Sequence, residues 1–93
     1  MKATLLLRER RVVTERAFVE MVVWKVSSPV SGSAHAFKYR FAFVVDGLCV
    51  LRYDNEAGKG DHKHVGERQE PYVFTTPAQL IEDFWNDVDR WRT

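Results

Sequence analysis

The residues best suited to chemistry lie close together between positions 53 and 64, where the chain reads Tyr-Asp-Asn-Glu-Ala-Gly-Lys-Gly-Asp-His-Lys-His. Two of the three histidines, His62 and His64, fall here among lysines and glycines. Histidine exchanges protons near neutral pH, lysine supplies positive charge, and glycine lets the backbone approach a ligand closely. A segment of this composition is suited to an anion, and the pattern favours a phosphate.

Cleavage of RNA without a metal is a reaction that these groups could perform. A 2′-hydroxyl must lose a proton, the leaving 5′-oxygen must gain one, and negative charge grows on the phosphate. Histidines can make both transfers, and cations or backbone N–H groups can hold the charge. Tyr53 would stack on a base or act as an acid, and either Asp54 or Asp61 would orient a histidine. The predicted catalytic residues are His62, His64, Lys59, Tyr53 and Asp61.

Two alternatives exist for the same segment. One is a hydrated loop with two incidental histidines. The other is a metal site, because His62 and His64 would project the same way from an extended strand, and Asp61 or Asp54 would complete a set of two histidines and one carboxylate. The neighbouring lysines and arginines oppose a cation, so we predict no metal and no cofactor. ATP binding is not expected, because residues 58–61 lack the spacing of a Walker loop.

Strands that could position this segment are indicated by hydrophobic residues at period two. One run stands out, because alternate aromatic side chains from Phe37 to Phe43 share one face. Asp46-Gly47 then predicts a two-residue hairpin turn, since both central residues of such a turn need positive φ. The predicted strands cover residues 3–8, 18–26, 35–45 and 48–55, with a loop at 27–33.

The predicted turn would also fix the register of this hairpin. Val45 would face Leu48, and residues counted outward from the turn would pair in order. Lys38, Arg40, Tyr53 and Asn55 would then cluster on the sheet face opposite the aromatic row. The predicted RNA-binding residues are Lys38, Arg40, Asn55 and Lys63.

A long loop over residues 56–71 and a short strand at 72–74 are predicted before a final helix. Thr76 would cap this helix, Pro77 would take its first position, and Gln79 would complete a capping box. Its apolar stripe would pack on the aromatic face (Leu80, Ile81, Phe84, Trp85, Val88 and Trp91), and its acids would face solvent (Glu82, Asp83, Asp87 and Asp89). The predicted fold is α+β: an antiparallel meander of four to five strands with one C-terminal helix on one face, as a single domain over residues 1–93.

Composition and length limit the number of domains, the disulfide bonds and the cellular location that we expect. A chain of 93 residues suits one domain. Its one cysteine, Cys49, excludes an internal disulfide and is expected to be buried. No apolar run approaches the length of a membrane span, so we expect a cytoplasmic protein with no membrane partner. Apolar residues on the open face (Val44, Cys49 and Leu51) would suit a homodimer or another protein partner.

Charge is unevenly distributed along the chain. The net charge is only +1, but residues 1–52 hold nine basic and four acidic residues, whereas residues 53–93 hold five and nine. A basic first half suits contact with nucleic acid. His35 lies outside the histidine-rich segment at a strand entry, and we predict a structural role for it.

The segment at 53–64, followed by Glu-Pro-Tyr-Val-Phe at 70–74, resembles the signature of the TumE-like family of small prokaryotic toxins. Segments 20–26, 35–40 and 80–84 resemble further parts of that family, so the resemblance covers nearly the whole chain. Its most specific part is Gly-Lys-Gly-Asp-His-x-His. The chain departs from the family at 14–17, where a Pro-Asp-Gly type of turn is expected, so the first hairpin is predicted to be looser.

The resemblance implies the toxin half of a type II toxin–antitoxin system, neutralised by a small protein antitoxin. At the family level it also suggests RNA cleavage, whereas the residue roles given above come from the chemistry alone. The first hypothesis is therefore a metal-independent endoribonuclease toxin. The alternative is a non-catalytic inhibitory module that binds nucleic acid or protein through the basic sheet face.

Overall fold

In the computed structural model, which describes residues 3–92, the strands pair in sequence order in an antiparallel meander. The α+β class and the C-terminal helix are confirmed, but the described residues form six strands rather than four to five. The first two residues and the last residue of the predicted domain lie outside this range. The elements are β1 (Ala3–Thr14), β2 (Ala17–Val26), β3 (Phe37–Val45), β4 (Leu48–Asp54), β5 (His62–Val65), β6 (Arg68–Pro71) and α1 (Pro77–Arg92).

The predicted loop at 56–71 contains the hairpin of β5 and β6, so this prediction holds only for its first part. Gly66 and Glu67 form the two-residue turn between the strands, and Gly66 has a φ of +62°, which glycine adopts at little cost. The short strand predicted at 72–74 is wrong, because residues 72–76 join no strand. β1 runs to Thr14 rather than ending at residue 8, as a charged edge strand.

The hairpin of β3 and β4 begins as predicted. Asp46 and Gly47 have φ angles of +50° and +80°, the positive values that a type I′ turn requires. Val45 pairs with Leu48 on either side of this turn. The Asp-Gly signal therefore placed the turn and its first pair correctly.

A β-bulge at Val50 then changes the register. Phe43 pairs with Leu51, and Phe41 pairs with Tyr53. One extra residue moves every later side chain of β4 to the opposite face. The predicted clustering of Tyr53 with the exposed lysine and arginine of β3 is therefore wrong, and Leu51 lies in the core rather than on the open face.

Helix α1 packs on the aromatic face of the sheet, as predicted. The Phe84 ring makes edge contacts with Phe41 at 5.3 Å and with Tyr53 at 5.6 Å between ring centroids. Fully burying such a side chain stabilises the fold by roughly 1.5–3 kcal/mol. The buried core combines residues of β2, β3, β4 and α1 (Val19, Met21, Val23, Tyr39, Phe41, Phe43, Leu51, Tyr53, Leu80, Phe84 and Val88).

The helix begins with the predicted cap. The backbone N–H of Gln79 donates to Thr76 Oγ1 at 3.1 Å, which satisfies one of the free N–H groups at the helix start. The reciprocal half of a capping box is wrong, because the Gln79 side chain donates to Asp83 at 2.8 Å instead.

Two of the four helix acids do not face solvent as predicted. Asp83 accepts a hydrogen bond from Tyr72 Oη at 2.6 Å, and Asp87 accepts one from Lys63 Nζ at 3.0 Å. The Tyr53 hydroxyl also donates to Asp87. These carboxylates join the helix to the edge of the sheet.

The opposite side of the sheet, which we call the outer face, carries the exposed basic residues Arg8, Arg10, Lys38 and Arg40. The prediction that the open face carries Lys38 and Arg40 is confirmed. Cys49 is exposed rather than buried, because it lies at the hairpin tip, beyond the cover of the helix. Among the described residues, no helix is both long enough and apolar enough to cross a membrane.

Candidate functional site

His62 and His64 lie side by side on the outer face. Alternate residues of a strand point to the same face, so the two positions of β5 bring the ring centroids to 4.9 Å. Across the ladder, His62 pairs with Asp54 and His64 pairs with Arg52. We call this group of Asp54, His62, His64 and Arg52 the histidine cluster.

The orientation of His62 is fixed by contacts at both ring nitrogens. Its Nδ1 lies 3.0 Å from the Gly60 carbonyl oxygen. A carbonyl only accepts hydrogen bonds, so Nδ1 carries a proton. The other nitrogen, Nε2, lies 2.7 Å from Asp54 Oδ1, and only 6% of the His62 side chain is exposed. The unusual feature is that Oδ1 accepts no hydrogen bond from any described residue despite this distance.

His64 is held as a neutral imidazole. Arg52 Nη2 lies 3.0 Å from His64 Nε2, and a guanidinium can only donate, so Nε2 carries no proton. Burial lowers the pKa of His64, and the positive charges of Arg52 and His62 lower it further. Arg52 Nε also lies 3.1 Å from Asp54 Oδ2, at ion-pair distance but outside hydrogen-bond orientation.

A cleft of about 320 Å³ opens beside His62. It brings His62 together with Lys59, one of the predicted catalytic residues. Lys59 Nζ is exposed and lies 3.4 Å from Glu56 Oε2, an ion pair of little strength at the surface. The cleft is lined by Lys59, Asp61, His62, Gln69, Glu70 and Pro71.

Asp61 does not orient His62 or His64. Its Oδ1 lies 2.9 Å from His35 Nε2 and 3.0 Å from Tyr39 Oη, and Ser33 Oγ donates to it at 3.2 Å. We call Ser33, His35, Tyr39 and Asp61 the His35 cluster. His35 Nδ1 accepts from the Phe37 N–H at 3.2 Å, so both of its nitrogens have partners within the protein. Burial and the Asp61 carboxylate raise the pKa of Tyr39.

The described residues therefore contain one histidine group on the outer face, bordered by a cleft, and one locked into the fold. A comparison with protein families finds a match over residues 2–92 to the family described as Toxin TumE. The chain belongs to the TumE toxin family. This membership identifies a toxin of a toxin–antitoxin system, and it implies an antitoxin partner. No curated protein and no solved structure matches the chain.

Besides Asp61, three further residues predicted for the site of this toxin lie away from the histidine cluster. Tyr53 is buried against the helix, where burial and its hydrogen bond to Asp87 raise its pKa. Asn55 is buried, and its side chain accepts from the Tyr39 N–H at 3.0 Å. Lys63 projects to the helix side, where its ammonium meets Asp87. None of the three joins the outer-face group.

Arg52 is the residue that the sequence reasoning missed. The predicted register paired it with Phe41, whereas the bulge in β4 places it opposite Ala42 and beside His64. The same shift brings Asp54 opposite Arg40. The only sequence signal was the spacing of His62 and His64 at alternate positions, which is typical of a strand that could pair with β4. No glycine marks the bulge itself, so its position had no clear signal.

Proposed function

We propose that this TumE-family toxin is an endoribonuclease that cleaves RNA at the histidine cluster and needs no metal for the reaction. The observation that carries the proposal is the pairing of two adjacent imidazoles with unlike partners. His64 faces a cation and His62 faces a carboxylate. Unlike environments separate the roles of two titratable groups that would otherwise behave alike.

His64 is the proposed general base. Its Nε2 already lacks a proton and would accept one from the 2′-hydroxyl of the RNA. In the free protein this nitrogen is occupied by Arg52. A bound phosphate would attract the guanidinium, whose side chain is one-third exposed, and would thereby release Nε2. Binding of substrate would thus activate the base.

His62 is the proposed general acid. Its contact with Asp54 lies off the hydrogen-bond direction, so the Nε2 proton is not committed to the carboxylate and can be given to the leaving 5′-oxygen. Asp54 would stabilise the positive ring before that transfer. The cleft beside His62 supplies the approach for RNA, and Lys59 at its edge would neutralise charge on the phosphate.

The RNA strand would cross the outer face. Lys38 and Arg40 are exposed there, and Arg40 lies opposite Asp54, next to the histidine cluster. Both lie on β3, so their cations would bind phosphates of the RNA on that side of the cleavage point. Tyr53, Asn55 and Lys63 take no part in the proposal, since Tyr53 and Lys63 contact the helix and Asn55 donates to the backbone of β3.

The test incubates purified protein with RNA in EDTA. We expect cleavage with 2′,3′-cyclic phosphate ends, and we expect an RNA with 2′-deoxyribose at the cleaved position to stay intact because it lacks the nucleophile. The double variant His62→Ala/His64→Ala should abolish cleavage. Intact RNA with the wild-type protein, or cleavage that the double variant leaves unchanged, contradicts the proposal.

A non-catalytic binding module is the second candidate, favoured by the exposed basic residues of the outer face. Such a module would lose RNA affinity as Lys38 and Arg40 are neutralised, and it would tolerate loss of both histidines. The nuclease would lose turnover with one histidine while still binding RNA. The homodimer stays a prediction.

A further inference from the structure

We propose that Asp54, His62 and His64 form a binding site for a divalent transition-metal ion such as Zn²⁺, and that an ion in this site blocks RNA cleavage. The binding half of the proposal stands on geometry alone. The blocking half rests on the proposed nuclease function.

The three side chains can present one ligand atom each within a small volume. A nitrogen of each histidine and an oxygen of Asp54 lie within 4.8 Å of one another. Both histidines come from one strand at alternate positions, and the carboxylate comes from the strand paired with it. Two imidazoles and a carboxylate suit Zn²⁺, and three protein ligands leave a fourth position open.

The buried carboxylate of Asp54 is an independent sign that this place suits a cation. Its Oδ1 is buried and accepts no hydrogen bond from the described residues, yet it lies 2.7 Å from His62 Nε2. A direct hydrogen bond needs the oxygen along the ring N–H direction. The buried Oδ1 therefore has no hydrogen-bond donor among the described residues, and it can serve as a ligand for a cation that binds beside His62 Nε2.

The backbone already orients the His62 ring as a metal ligand requires. Its Nδ1–H donates to the Gly60 carbonyl at 3.0 Å, which leaves Nε2 as the nitrogen that faces Asp54. Histidines that ligate metals generally donate their second N–H to a carbonyl or carboxylate in this way, which fixes the tautomer. No rearrangement of the ring is needed before an ion enters.

Arg52 competes for the same place. Its guanidinium lies 3.0 Å from His64 Nε2 and 3.1 Å from Asp54 Oδ2, so it supplies the positive charge that an ion would bring. An ion can enter only when this side chain turns outward, and its partial exposure permits that movement. Metal and phosphate would thus both displace Arg52, but the ion would occupy the imidazole nitrogens that the reaction uses.

The experiment titrates metal-free protein with Co²⁺, followed by its visible absorption, and with Zn²⁺, followed by calorimetry. We expect one ion per chain and a loss of affinity of at least about 10-fold in His64→Ala. Arg52→Gln should bind the ion more tightly than the wild type, because the competing cation is removed. His35→Gln, which removes a histidine outside the trio, should bind like the wild type, with circular dichroism confirming that each variant is folded.

Binding by neither the wild type nor Arg52→Gln overturns the site, and so does equal loss of affinity in His64→Ala and His35→Gln. The blocking half is tested separately by RNA cleavage. Zn²⁺ should inhibit at the concentration at which it binds, and EDTA should restore activity. Binding without inhibition overturns that half. A protein that binds Zn²⁺ but never cleaves RNA refutes the nuclease proposal and leaves the site confirmed.

Discussion

The described residues contain two histidine–aspartate pairs, and the difference between them lies in the ring nitrogen that faces the carboxylate. In the His35 cluster, His35 donates to Asp61 and accepts the N–H of Phe37, so the ring is fully used by the fold. In the histidine cluster, His62 leaves Nε2 beside a carboxylate without a hydrogen bond and stands next to His64. A carboxylate beside a histidine is therefore not enough to mark a chemical site.

The surroundings of the two pairs also differ: one is packed within the protein, and the other borders a cleft. The His35 ring stacks on Phe74 at 3.8 Å, and Tyr39 and Ser33 share its carboxylate. This network ties the loop after β2 to the loop after β4. The histidine cluster instead borders a cleft and a guanidinium that a ligand can displace. The pair of His35 and Asp61 stabilises the fold, whereas the pair of His62 and Asp54 is available for chemistry.

The largest expected effect comes from exchanging the two aspartates for asparagine. Asp54→Asn should lower RNA cleavage by about 10²-fold or more, since it removes the charge that supports the acid, with little loss of stability. Asp61→Asn should lower the free energy of unfolding by about 1–3 kcal/mol, because buried donors lose their carboxylate. Single-turnover cleavage and urea unfolding measure the two quantities. If the effects are interchanged, the assignment of the two pairs is wrong.

The junction that supports the His35 cluster can be tested at Gly32. A Cβ there would lie 2.8 Å from the backbone nitrogen of Gly60, whereas a Cβ at Gly47 would meet nothing within 4 Å. Both residues have positive φ, so alanine at either costs about 1–2 kcal/mol in backbone strain. Gly32→Ala should cost roughly 1–3 kcal/mol more because of the clash. Equal losses in urea unfolding would show that the two loops do not depend on this close approach.

Alkaline pH should destabilise the fold at the His35 cluster and at the contacts of the helix, where buried tyrosines ionise. The histidine cluster contains no tyrosine. Burial and neighbouring carboxylates raise the pKa values of Tyr39, Tyr53 and Tyr72. The folded state therefore holds these tyrosine protons more tightly than the unfolded state. The contribution of the protonated tyrosines to the free energy of unfolding is complete below pH ~10 and is lost as the pH rises above it. Melting temperatures should fall above pH ~10, and less steeply in Tyr39→Phe. An unchanged slope in that variant would contradict the role given to Tyr39.

The smallest effect concerns the path of the RNA beside the histidine cluster. Lys38→Ala and Arg40→Ala should each weaken RNA binding and reduce the slope of log affinity against log salt by about 0.7. Lys25→Ala is the matched control, because Lys25 is exposed on the neighbouring strand and pairs with Phe37, on the other face. An equal effect of all three variants would show that binding follows net charge rather than the outer face.

Much of the fold could be predicted from short-range patterns. The aromatic alternation in β3, the Asp46-Gly47 turn and the apolar stripe of α1 each depend on local periodicity or turn chemistry. The hairpin of β5 and β6 was missed because its strands are polar, with little β-propensity. The Gly66-Glu67 dipeptide between them was the signal that could have revealed it.

The site was predictable only in part, for a physical reason. His62 and His64 follow from alternation within one strand, but their partners depend on the register of β4, which one bulge at Val50 shifts. Asp61 is adjacent to His62 in sequence, yet it points to His35. Neighbours along a strand face opposite sides of the sheet. Long-range register therefore decided which carboxylate met which histidine.

The most direct test of the central claim is the single-turnover rate of RNA cleavage by the wild type and by His64→Ala, both saturated with RNA in EDTA. The account predicts that the variant binds the RNA to the same extent and cleaves it about 10² to 10⁴-fold more slowly. Equal cleavage rates, or RNA that the wild type binds and never cuts, would contradict it.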